Sequence, residues 1–212
     1  RHSAESLQAK RKLDPHNFEC LYQGKPASRE GLLYSSFKTY NELPPPAEII
    51  KRTAYVDTAD TGEDYLCAIA YVVAKDGYTY VTDILYTQEP MEVTEQATAN
   101  LLTRNDCRSA AIESNNGGRG FARNVQRLAP RVKVEWFHQS GNKESRILSN
   151  SATVQHNILL PSDWSLRFPL FYAHLTAFKR LFRANSHDDC ADAITGIAER
   201  EYQTKKRVTM IV

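Results

Sequence analysis

A chain of 212 residues with 42% hydrophobic content is long enough to bury a full core in one domain. Its net charge of only +2 excludes a uniformly basic coat, so contact with a polyanion must come from local clusters of Lys and Arg. The four cysteines (Cys20, Cys67, Cys107, Cys190) show neither C-x-x-C spacing nor a zinc pattern, and no apolar run approaches the roughly 20 residues of a membrane span. Reduced thiols, a cytoplasmic setting and no membrane partner are therefore expected.

Residues 1–46 are polar, weakly periodic and closed by Pro44–Pro45–Pro46, which fixes an extended connector. They are expected to form an arm leading in from an absent upstream domain, with a helix over Ser3–Lys12 stopped at Asp14–Pro15. Residues 47–212 are expected to form the folded domain. There, β-like runs at 52–57, 65–74 and 78–86 are joined by the turns Asp60–Thr61–Gly62 and Lys75–Asp76–Gly77, predicting an antiparallel meander. A helix over 92–104, a strand over 109–113, a Gly117–Gly118 break, a helix over 119–129 and a strand over 132–137 follow. Three helices are then expected, over Lys143–Ser151, Leu166–Phe182 and Asp188–Lys205. This order predicts an α/β, ribonuclease H-like fold: a mixed five-stranded sheet, three antiparallel strands and then two parallel ones, flanked by helices. In that topology the first and fourth strands lie side by side.

Acidic residues fall where this topology would gather them. Asp57 ends the first strand and Glu113 the fourth, while Asp188, Asp189 and Asp192 open the last helix. A carboxylate at the end of an apolar strand is costly unless a cation or hydrogen bonds compensate it. Each has an ordinary reading too: Asp57 as a turn residue, Glu113 as a helix-capping acid, and the His187–Asp188–Asp189 run as an N-cap. Spacing favours more than capping, because Asp188/Asp192 and Asp189/Asp192 lie at i,i+4 and i,i+3 on one helical face. Such carboxylates suit hard Mg²⁺ or Mn²⁺, and two ions about 4 Å apart clamp both oxygens of a phosphodiester displacement.

Basic residues supply the counterpart. Arg119, Arg123, Arg127 and Arg131 recur every fourth residue after Glu113, either as a solvated face or as a track for a phosphate backbone; Arg119 and Arg123 are the expected DNA contacts. Lys143 and Arg146 are also expected as DNA-binding residues that neutralise a scissile phosphate, or else to hold a catalytic carboxylate; the ordinary reading is an exposed helix start. The tail Lys205–Lys206–Arg207 reads as surface charge, and His138, His156 and His174 carry no assigned chemistry.

Taken in order, YVDTADTGEDY, AAIESNNGGRGFARNV, GNKESRI and HDDCADAITGIAE resemble the C-terminal nuclease domain of tailed-bacteriophage terminase large subunits, over roughly residues 50–205. LYQGKPASREGLLY resembles the stretch that follows the ATPase domain in those proteins. The resemblance implies a two-metal endodeoxyribonuclease that cuts concatemeric double-stranded viral DNA during packaging. It also implies two Mg²⁺ or Mn²⁺ ions, an ATPase domain, small terminase subunit and portal as partners in the full protein, and the host cytoplasm as setting. Carried over by motif, the catalytic and metal-binding residues are Asp57, Glu113 and two of the HDDCADA acids, Asp189 as first choice and Asp192 as second. The chain has no G-x-x-x-x-G-K-[ST] phosphate loop, so no ATP-driven translocation is expected of it. The alternatives are another ribonuclease H-like enzyme, of junction-resolvase or integrase type, or a non-catalytic DNA-binding module.

Overall fold

The computed structural model describes residues 31–58, 64–113 and 118–203. Seven strands form one sheet: β1 (Lys38–Tyr40), β2 (Ile49–Asp57), β3 (Leu66–Ala74), β4 (Thr79–Thr87), β5 (Ser109–Glu113), β6 (Lys133–Phe137) and β7 (Ile158–Pro161). Their spatial order is β1-β7-β4-β3-β2-β5-β6. The β2–β3–β4 meander is antiparallel, while β5 and β6 add in parallel beside β2, so the first and fourth expected strands do lie side by side.

The expected five strands become seven because β7 and β1 extend the other edge, β7 parallel to β4 and β1 parallel to β7. Strand β7 is a four-residue apolar run, Ile158–Leu159–Leu160–Pro161, too short to declare its own periodicity. Strand β1 lies within the expected arm. That segment joins the domain from Gly31 onward: Leu33 and Tyr34 are buried, and Leu33 N–H donates to the Phe178 carbonyl at 2.8 Å. The expected helix over Ser3–Lys12, the first turn at Asp60–Gly62 and the Lys205–Arg207 tail lie outside the described residues.

Strand β3 shows how the core is divided. All nine of its residues are buried, as befits a central strand covered on both faces. Cys67, Ile69, Tyr71 and Val73 face one cluster, and Leu66, Ala68 and Ala70 face the other. The second face is built from small residues, including Ala54 and Ala110, which let α1 (Met91–Arg104) and α2 (Gly118–Leu128) pack closely. The first face carries α3 (Lys143–Asn157) and α6 (Asp189–Ala198), packed on each other, with α6 also against β2 and β3.

The helix expected over Leu166–Phe182 is two short ones, α4 (Trp164–Arg167) and α5 (Pro169–Thr176). Pro169 disfavours helical geometry at the preceding residue, and Phe168 sits at φ −130°, ψ 59° between them. The last helix relaxes into a π-helical turn over Glu199–Gln203.

Candidate metal centre

The register of β2 and β5 sets the centre. Val56 pairs with Ile112 in a parallel ladder, so Asp57 and Glu113, the next residue on each strand, emerge at neighbouring strand ends. The first turn of α6 comes down on the same point, because its apolar residues Cys190, Ala191, Ile194 and Ile197 are buried against the sheet. One ligand oxygen from each of Asp57, Glu113 and Asp192 lies within 4.8 Å of the others. Asp189 stands outside that trio; its Oδ2 accepts from the Tyr65 backbone N–H at 3.3 Å. Asp188 occupies the N-cap position without making a capping bond, and accepts from Lys143 Nζ at 2.8 Å.

Two cations brace the acids. Lys143 Nζ lies 3.3 Å from Asp192 Oδ2, and Arg146 Nη1 lies 2.9 Å from Asp192 Oδ1. Arg146 also forks onto Glu199 through Nε and Nη2 at 2.9–3.1 Å, and Gln139 donates to the same carboxylate at 3.2 Å. With only 9% of its surface exposed, Arg146 is an internal clamp. A Cβ at Gly141 would meet its Cδ at 2.8 Å, so the bare backbone there leaves room for the guanidinium. Of the two roles expected for Lys143 and Arg146, this geometry is that of holding a carboxylate.

The acids remain under-compensated. Burial pushes the Asp57 carboxyl well above the usual range, with Asp192 and Glu113 adding to the shift and Lys143 offsetting part of it. Burial likewise raises Glu113, Asp189 and Asp192. Asp192 Oδ1 is shielded from solvent, and its contact with Arg146 is a charge pairing without hydrogen-bond geometry. An all-oxygen donor set with raised pKa values and a buried oxygen lacking a hydrogen bond fits a hard divalent cation. Among the described residues it is the one group of this kind.

Tyr55 was not singled out by the sequence, although it lies two residues before Asp57 on the same strand face. Its hydroxyl donates to Glu113 Oε2 at 3.1 Å. Gly196 on α6 makes room for its ring, which a Cβ there would strike. A second unforeseen group adjoins Asp189: Tyr65 stacks on Tyr86 with centroids 4.4 Å apart, His174 stacks on His187 at 4.9 Å, and Tyr86 Oη lies 2.9 Å from His174 Nδ1. Burial, then the neighbouring His187, lowers the His174 pKa to about 4. No spacing rule joins residues so far apart in sequence.

The arginines of α2 are exposed, while Phe121, Ala122 and Val125 turn inward. Arg119 lies with Cζ 4.4 Å above the Trp136 ring centroid.

Residues 56–158 match the family model described as Terminase Bacteriophage T7, Ribonuclease H-like domain. Over that span, just under half of its length, the chain is similar to this terminase family. The domain is similar in fold to the large terminase nuclease from thermophilic phage G20c with bound cobalt. That match has a TM-score of 0.54 and 12% identity over 81% of this chain and 98% of that one. The magnesium-bound form of the same nuclease gives a TM-score of 0.54 at 13% identity, with the same coverage. A mutant of the large terminase subunit from bacteriophage Sf6, with calcium, gives a TM-score of 0.52 and 13% identity over 71% of this chain and 89% of that one. No curated protein sequence matches.

Proposed function

We propose that this domain is a metal-dependent endonuclease that cuts concatemeric double-stranded viral DNA during genome packaging. The observation that carries this reading is the convergence of Asp57, Glu113 and Asp192 within 4.8 Å at two parallel strand ends and a helix start. Solved structures of similar fold that hold cobalt, magnesium or calcium support it.

Asp57, Glu113 and Asp192, with Asp189 beside them, are the residues that would hold the ions. When bound, two Mg²⁺ or Mn²⁺ ions supply an activated water nucleophile and charge stabilisation for the leaving 3′ oxygen. The chain's own residues do the positioning. Tyr55 fixes Glu113 by its hydroxyl, and Arg146, held by Glu199, fixes Asp192. Lys143 ties Asp188 to Asp192 and so sets the angle of the helix start. Arg119 and Arg123 take the DNA backbone. In the full packaging motor, within the host cytoplasm, an ATPase domain reached through the N-terminal segment, the small terminase subunit and the portal are the partners.

Plasmid cleavage tests the reading. The chain should nick and linearise supercoiled DNA with Mn²⁺ or Mg²⁺, lose that activity in EDTA, and lose it as Asp57→Asn in either metal. Cleavage by Asp57→Asn at the wild-type rate would overturn the assignment. A preference for four-way junctions over linear duplex would point to a resolvase instead.

A further inference from the structure

Trp136 lies near the centre but outside it. It lies on β6, the edge strand, pairs with Ile112 one position short of Glu113, and leaves 45% of its surface exposed. Alternation places it on the opposite sheet face from Phe137: Phe137 packs into the α3/α6 cluster, whereas Val134, two residues before Trp136, packs into the α1/α2 cluster. The exposed ring is not bare. It contacts Arg119, whose guanidinium lies 4.4 Å above it.

Arg119 heads the exposed stripe continued by Arg123, Arg127 and Arg131, and none of the four has an acidic partner among the described residues. Arg104, Arg146 and Arg200, by contrast, are each ion-paired. A guanidinium held over an indole keeps N–H groups available and loses little freedom when it forks onto a phosphate. Adjacent strands lie about 4.8 Å apart, so Trp136 sits between one and two nucleotide steps of roughly 3.4 Å from the strand that carries Glu113.

We infer that Trp136 is a positioning residue that pre-organises Arg119 to grip a backbone phosphate beside the cut site, so that duplex DNA lies along the α2 face. The inference rests on the nuclease reading and adds to it the path of the substrate. Lys143 and Arg146, engaged with acids on the other face, take no part in that grip.

The test is fluorescence anisotropy of a labelled 30-bp duplex with the whole chain, in EDTA, across a salt series. The proteins are wild type, Arg119→Ala, Trp136→Ala, Trp136→Phe and the Arg119→Ala/Trp136→Ala double variant. Arg119→Ala should weaken binding several-fold and reduce the log–log salt slope by about 0.9, one phosphate's worth. Trp136→Ala should do the same, the double variant should be no worse than either alone, and Trp136→Phe should restore most of the affinity and slope. An unchanged slope in Trp136→Ala, or losses that add in the double variant, would overturn the inference. Mn²⁺-induced shifts in melting temperature, measured on the same samples, report the metal centre separately: they should persist in every variant. Their absence in wild type would sink the nuclease reading whatever the DNA data show.

Discussion

Asp57 is held in a position that the metal-free fold pays to maintain. Its carboxyl is raised by burial and by two neighbouring acids, so Asp57→Asn removes a repulsive charge while keeping the shape. The expected outcome is loss of cleavage together with a melting temperature about 2–4 °C higher without metal, since a relief of roughly 1 kcal/mol shifts a domain of this size by that amount. Differential scanning calorimetry in EDTA checks it; a lower melting temperature would mean that Asp57 makes a stabilising contact instead. The pH dependence follows from the same charges. Asp57, Glu113, Asp189 and Asp192 all have raised folded-state pKa values. Above about pH 4 the folded domain therefore keeps protons that the unfolded chain releases, and stability falls as pH rises toward neutrality. His174 acts in the opposite sense. Lowered to about 4 when folded, against roughly 6.5 when unfolded, it adds stability as pH rises through that interval. The two effects oppose each other between about pH 4.5 and 7.5. Removing the imidazole leaves the carboxylates alone, so metal-free melts of His174→Asn should decline across that range, and saturating Mg²⁺ should flatten the decline. Stability of His174→Asn that rose across the whole range in EDTA would contradict the burial of these acids.

Two predictions belong to helix α6. Its start carries three acids that one helical pattern cannot rank, but their contacts differ: Asp192 joins the trio, Asp189 is tied to the Tyr65 N–H, and Asp188 is tied to Lys143. Asp192→Asn should abolish both cleavage and the Mn²⁺-induced thermal shift. Asp189→Asn should severely weaken both, and Asp188→Asn should retain measurable cutting. Isothermal titration with Mn²⁺ ranks them directly, and a normal titration for Asp192→Asn would displace it from the ligand set. One turn on, Gly196 lets the helix lie on the Tyr55 ring. Gly196→Ala should force that ring away and release Glu113. The substitution should destabilise the domain by about 1–3 kcal/mol through overpacking, despite alanine's better helix propensity, and should lower cleavage beyond what the lost stability explains. Denaturant melts beside plasmid nicking at low temperature separate the two effects.

For the whole molecule, the clamp between α3 and the end of α6 joins site to scaffold. Arg146→Met would leave Asp192 and Glu199 facing each other without their shared cation, at a cost of about 3 kcal/mol, because breaking a buried pair strands a charge. The urea midpoint should fall while the dependence on urea stays the same, and Mn²⁺ should recover part of the loss by neutralising Asp192. No recovery would mean that the metal does not reach this carboxylate.

Wherever burial writes a pattern, the chain was legible: the apolar run of β3, the punctuated meander, the four-residue period of α2, and acids at the ends of apolar strands. These features follow from local chemistry, because strand and helix periods and the cost of a buried carboxylate are properties of short segments. Strands β1 and β7 were not legible, since three and four residues carry too little pattern and exist as strands only by pairing with β4 and each other. Nor were the contacts that decide roles. Arg146 became a clamp because Glu199 and Asp192, some fifty residues later, close around it. Tyr55 acquired Glu113 because parallel strands set their register, and Trp136 acquired Arg119 because α2 packs against β6. The sequence by itself determined which charges had to be compensated; the tertiary structure alone decided what compensates them, because partners distant in the chain become neighbours only once the sheet has formed.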